Sequence, residues 1–219
     1  MCIRDRYWVY DTNPAKNSPA IVKTADPYGT LLLSPFDDPY IPDSSFPNLP
    51  EYPNGQDREV TILQTDQAKY DWVITNFEKP SNENLIIYEV LVRDFDKNRS
   101  FQDLIDRVSY FKSLNVNAIQ LMPIMEFEGN ESWGYNTVSH MALDKFYGSP
   151  AKLKELVDTF HQNGIAVILD IALNHATGRS PLVRMWMNDS DNDGWGEPNE
   201  QNPYFNTEAR HSYLSLIHI

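Results

Sequence analysis

Residues Ile165-Ala166-Val167-Ile168-Leu169 form an aliphatic run with no polar alternation, and the polar group Asp170-Ile171-Ala172-Leu173-Asn174-His175 follows at once. A strand whose two faces are both covered reads this way, which is the condition of a strand inside a parallel sheet. Polar side chains at the carboxyl end of such a strand lie where barrel enzymes build their sites. Asp170, Asn174 and His175 are therefore candidates with a structural reason behind them.

Two further runs precede this one, Leu85 to Val92 and Asn117 to Met122, the second closed by Pro123. Between them Phe101, Leu104, Ile105, Val108, Phe111 and Leu114 recur at three- and four-residue steps. That spacing predicts one helix, with Ser100 as its N-cap and Asp103 favoured at its positive end. A second helix is predicted from Ser149-Pro150, lined by Leu153, Leu156, Val157 and Phe160 and stopped at Asn163-Gly164. Strand, helix, strand, helix, strand calls for right-handed crossovers onto one parallel sheet.

These segments, with Ile87 to Phe95 on the first strand, Trp133-Gly134-Tyr135-Asn136 after the second, Phe146 to Ser149 before the second helix and Asp170 to His175 after the third, resemble the catalytic domain of the α-amylase superfamily, glycoside hydrolase family 13. The likeness covers about residues 84 to 210. It implies an α/β fold, the first three strands and two helices of an incomplete (β/α)8 TIM barrel. A closed barrel takes about 250 residues, far more than follow Leu85. The family's catalytic aspartate nucleophile, glutamate acid/base and stabilising aspartate come after strands four, five and seven. No catalytic residue can be assigned here, and the chain alone is expected to be inactive, an N-terminal fragment of a bacterial α-amylase-like protein.

The domains read as follows. Residues 7–83 are a partial β-sandwich-like region with a proline-rich connector, whose short apolar runs are separated by turn residues. Residues 84–213 are the start of the barrel. Residues 1–6 and 214–219 match neither the family pattern nor their neighbours and are expected to be artefacts.

The resemblance implies roles residue by residue. Tyr135 and His175 match positions that bind the sugar before the scissile bond, by ring stacking and by hydrogen bonds to hydroxyls. Asp170 matches a carboxylate that orients its neighbours. Asn174 matches a calcium ligand of many relatives. Asp189, Asp191, Asp193 and Glu200 also spell the D-x-D-x-D-G-x5-E calcium loop. Pro198 and the absence of a following helix pattern favour a solvated acidic loop over a cation site there. The implied activity is retaining cleavage of α-1,4-glucosidic bonds in starch-like glucans. A branching or debranching enzyme, or a non-catalytic carbohydrate-binding relative, is the alternative.

Composition adds exclusions. Thirty-one acidic against 18 basic residues give a net charge of −13, which repels nucleic-acid phosphates. One cysteine, Cys2, makes no disulfide framework. No apolar run reaches membrane-span length. By analogy the parent protein is expected to be secreted, at the cell surface or periplasmic, and its oligomeric state stays open. Glu126 and Glu128 form an acidic pair to which the resemblance gives no catalytic role. Glu89 and Arg93 are expected to share a buried polar contact, and His161 to sit as a cation at its helix end.

Overall fold

The computed structural model describes the backbone of residues 2–3, 5–10, 19–173 and 176–184, and the side chains of residues 24–173 and 176–184. In the N-terminal region short β-formers make antiparallel pairs. Strand β1 (Cys2–Ile3) lies beside β5 (Val60–Ile62), which also pairs β4 (Leu32–Leu33), and β2 (Asp5–Tyr10) pairs β3 (Pro19–Thr24). The first residues take part in these ladders, Cys2 in register with Ile62 and Asp5 with Thr24. From Pro35 to Pro53 the proline-punctuated chain forms no strand and runs through short turns, among them the 3-10 turn Asp38–Tyr40 and a turn in which Ser45 N–H donates to Pro42 O at 2.9 Å.

The three aliphatic runs pair as expected. Strands β6 (Ile87–Val90), β7 (Ala118–Leu121) and β10 (Ala166–Leu169) form a parallel sheet with β7 in the middle. Its registers put Val90, Leu121 and Leu169 in one row at the carboxyl edge. The edge is extended by Met122 N–H to Val90 O at 3.0 Å and Asp170 N–H to Leu121 O at 2.9 Å. Strand β7 is buried along its whole length, whereas Ile87 on β6 and Leu169 on β10 are exposed, because among the described residues nothing pairs their outer sides.

The helices follow the apolar spacing, with one correction. The expected single helix divides into α2 (Phe101–Asp106) and α3 (Val108–Ser113) after the one-turn α1 (Val92–Phe95). Arg107 leaves helical geometry between them, at φ −104° and ψ 12°, and its guanidinium pairs with Asp96. Asp103 accepts the Ser100 N–H as the capping reading requires, but Leu114 ends 43% exposed rather than on the inner face. Helix α4 (Pro150–Gln162) starts at Ser149, whose hydroxyl accepts the Lys152 N–H at 3.2 Å, and Gly164 leaves it at φ +75°. Phe101, Leu104, Phe111, Leu156 and Phe160 pack with Ile119 and Leu121 into the main core. At 25 cal/mol per Å2 each such side chain contributes roughly 1.5–3 kcal/mol.

An unforeseen hairpin fills the second strand-to-helix connection. Strand β8 (Met125–Phe127) pairs β9 (Thr137–Leu143) antiparallel, with bulges on both sides of Glu126. Val138 and Ala142 of β9 pack on Ala25 and Leu32, which seats the N-terminal region on the hairpin. A last helical turn, α5 (Pro181–Arg184), follows the third strand. Among the described residues no helix is long and apolar enough to cross a membrane.

Candidate functional site

The site is assembled from two loops at the carboxyl edge of the sheet. The chain leaving β7 passes Pro123 into the hairpin, whose tip carries Trp133-Gly134-Tyr135-Asn136. Gly134 has φ +92°, and a Cβ there would overlap the Pro123 carbonyl oxygen, so the position is confined to glycine. The Ser132 hydroxyl accepts the Gly134 N–H at 3.0 Å and bonds the Asn136 side chain, whose amide donates to Glu128 O at 2.8 Å. This closed set of bonds fixes where Tyr135 points.

Tyr135 points at the third loop. Its hydroxyl donates to Asp170 Oδ2 at 2.5 Å, and Asp170 is 1% exposed at the end of β10. Burial first, then the Asp170 carboxylate, pushes the Tyr135 hydroxyl well above its ordinary value, so it stays a proton donor. Asp170 Oδ1 has no hydrogen-bond partner among the described residues. A buried carboxylate oxygen in that state carries a desolvation cost. Trp133, two residues before Tyr135, is 62% exposed.

Of the expected site residues, Tyr135 and Asp170 are thus brought together. Asn174, His175, Asp189, Asp191, Asp193 and Glu200 lie outside the described residues. Among the described residues no group of three or more His, Cys, Asp or Glu is placed to hold a metal ion. Glu89 does not meet Arg93. It accepts from Gln120 Nε2 at 3.2 Å across the β6–β7 register, while Arg93 forks onto Asp94 at 2.7 and 2.8 Å. The one-turn helix after β6 rotates Arg93 away from the strand face. His161 is also corrected: its ring stacks on Phe77 with centroids 3.8 Å apart, and burial lowers its pKa, so the neutral form is favoured.

Two buried cations outside the Tyr135–Asp170 pair were not anticipated. Lys145, its side chain 1% exposed, pairs with Glu126 and with Asp38 of the N-terminal region. Arg179, after β10, donates to Glu59 at 2.6 Å, to Asp37 at 2.6 Å and to the Ser34 hydroxyl at 2.7 Å, with its guanidinium 4.9 Å from the Phe36 ring centre. The acidic surplus of the chain was the available signal, but the partners are distant in sequence.

The described family "Alpha amylase, catalytic domain" matches residues 74–212. The chain belongs to the α-amylase family. Among its relatives, malto-oligosyltrehalose trehalohydrolase of Saccharolobus solfataricus is 34% identical over 154 residues, 70% of this chain and 26% of that protein. Alpha-amylase 3 of Dictyoglomus thermophilum is 34% identical over 113 residues, 49% of this chain and 22% of that protein. The 1,4-alpha-glucan-branching enzyme of Yarrowia lipolytica is 37% identical over 123 residues, 51% and 16% respectively. The chain therefore spans about a quarter or less of the curated relatives it matches. The group B Streptococcus pullulanase SAP superposes with a TM-score of 0.55 at 21% identity, over 84% of this chain and 28% of that one, a likeness of fold.

Proposed function

We propose that the protein to which this chain belongs is a retaining glycosidase acting on α-1,4-linked glucans of the starch type. The observation that carries this reading is the Tyr135–Asp170 bond, which joins two family motifs from separate loops at the carboxyl edge of the sheet. In this reading the Tyr135 ring and His175 hold the sugar before the scissile bond, and Asp170 orients its neighbours. The reaction passes through a covalent glycosyl-enzyme formed on a carboxylate nucleophile. Asn174 is the residue offered for calcium, through its side-chain oxygen, and chelation is expected to lower the melting temperature of the whole protein. Secretion, and a sandwich origin for residues 7–83, belong to the same proposal.

A second reading has a specific support. The trehalohydrolase match extends over 70% of the chain, which favours a malto-oligosyltrehalose as substrate. A branching activity, as in the Yarrowia relative, is the lesser alternative. The test is to incubate the full-length protein with starch, maltooligosaccharides and malto-oligosyltrehalose. Malto-oligosaccharide release from starch supports the first reading, and free trehalose from the third substrate supports the second. A changed branch content with no new reducing ends supports transfer. No reaction with any of them overturns the enzyme reading.

A further inference from the structure

The loop that leaves β10 is held at three places. Asp170 is fixed to β7 by its N–H bond to Leu121 O. Thr177 N–H donates to Thr137 O at 2.9 Å, at the start of β9 and two positions after Tyr135. Arg179 then reaches out of the barrel part altogether. Its Nε and Nη2 engage Glu59, Asp37 and Ser34, which come from two separate stretches of the N-terminal region.

This is a tie with a single geometry. The guanidinium fork has fixed donor directions, and its acceptors are themselves constrained: the Ser34 hydroxyl also donates to Asp37 Oδ2 at 3.1 Å. Arg179 is 14% exposed, with Asp37 at 10% and Glu59 at 5%. Burial works against its charge, yet the Asp37 and Glu59 carboxylates outweigh that and raise its pKa. Ser180, Val183 and Arg184, which follow, are also buried, so the segment cannot drift while the fork holds.

We propose that Arg179 is a positioning residue: it ties the loop leaving β10 to the N-terminal region, so that this region sets the geometry of the Tyr135–Asp170 pair. Arg179 bonds the N-terminal region rather than the pair, and acts through Thr177 and Thr137. The inference rests on the glycosidase reading of the site. Small displacements of positioning groups are enough to cost large factors in rate.

The test uses the full-length protein, unaltered and as Arg179→Met and Glu59→Gln, at a temperature where circular dichroism shows all three folded. Hydrogen exchange at the Thr177 amide is expected to speed up about tenfold or more in Arg179→Met, and less in Glu59→Gln, while the β7 amides of Ile119 and Leu121 keep their rates. On the glucan that the protein cleaves, kcat is expected to fall about tenfold with KM changed less than threefold. Unchanged Thr177 exchange overturns the proposal, and so does faster exchange with unchanged kcat. If the unaltered protein cleaves no α-glucan, the glycosidase reading fails by itself, and the Thr177 exchange alone supports or overturns the tie.

Discussion

Asp38 of the N-terminal region and Lys145 after β9 meet at 3.2 Å in a place nearly closed to water, with side-chain exposures of 8% and 1%. Glu126 pairs with the same ammonium, and Asp144 lies within its field. Burial opposes the charge on Lys145, but Glu126 and Asp38 outweigh it, so Lys145 stays charged. Three carboxylates then share one ammonium, and they cannot all ionise without cost.

Lys145→Met is expected to destabilise the chain by about 3–5 kcal/mol, because it leaves buried carboxylates unpaired. Adding Glu126→Gln to it should recover part of the loss. Chemical denaturation of the single and double variants measures this, and additive losses would show that the two residues do not act as a pair.

The same cluster predicts a pH dependence. Burial raises Glu126 from 4.5 to about 7, and raises Asp38 and Asp144 as well. A raised folded-state pKa means the folded chain binds the proton more tightly than the unfolded one. The Glu126 contribution is therefore complete below about 4.5 and is lost as the pH rises through about 7. Melting temperature should fall across that window, and fall less in Glu126→Gln. A melting temperature that rises over the same window would contradict the assignment.

Gly134→Ala is expected to cost about 1 kcal/mol or more, since its φ of +92° and the Pro123 carbonyl both exclude a Cβ. Displacement of the loop should also break the Tyr135–Asp170 bond. A crystal structure or tyrosine-ring NMR of the variant reads both effects.

On the outer face of α4, Asp158 accepts the N–H groups of Val73 and Ile74, each at 2.9 Å, and the Tyr70 hydroxyl at 3.4 Å. Asp158→Ala removes all three bonds from the connector. Chymotrypsin is expected to cut near Tyr70 and Trp72 many times faster in the variant, with the helix otherwise intact. Equal cleavage rates would mean the connector is held by its apolar contacts instead.

What was legible in the sequence was local. Strands β6, β7 and β10 announced themselves because strands covered on both faces are continuously apolar, and α4 because its serine cap, proline and glycine bracket a 3.6-residue pattern. Tyr135 and Asp170 were each singled out, although only the fold could show that one donates to the other. The β8–β9 hairpin was missed because β9 is covered on both sides at its start, which removes the alternation expected of a hairpin strand. Lys145 and Arg179 were missed for a different reason. Buried charges declare their partners only in space, and Asp38, Glu59 and Asp37 lie far away along the chain. His161 went wrong because a helix end favours a cation, while stacking on Phe77 and burial favour the neutral ring.

The most direct test of the central claim is the rate of α-glucan cleavage by the full-length protein, unaltered and as Tyr135→Phe. The variant keeps the ring and removes only the hydroxyl bonded to Asp170. We expect the unaltered protein to cleave an α-glucan, and Tyr135→Phe to lower kcat/KM by about tenfold or more, the value of a hydrogen bond to a charged group. Absence of cleavage, or a Tyr135→Phe protein as active as the unaltered one, would contradict the account of this site.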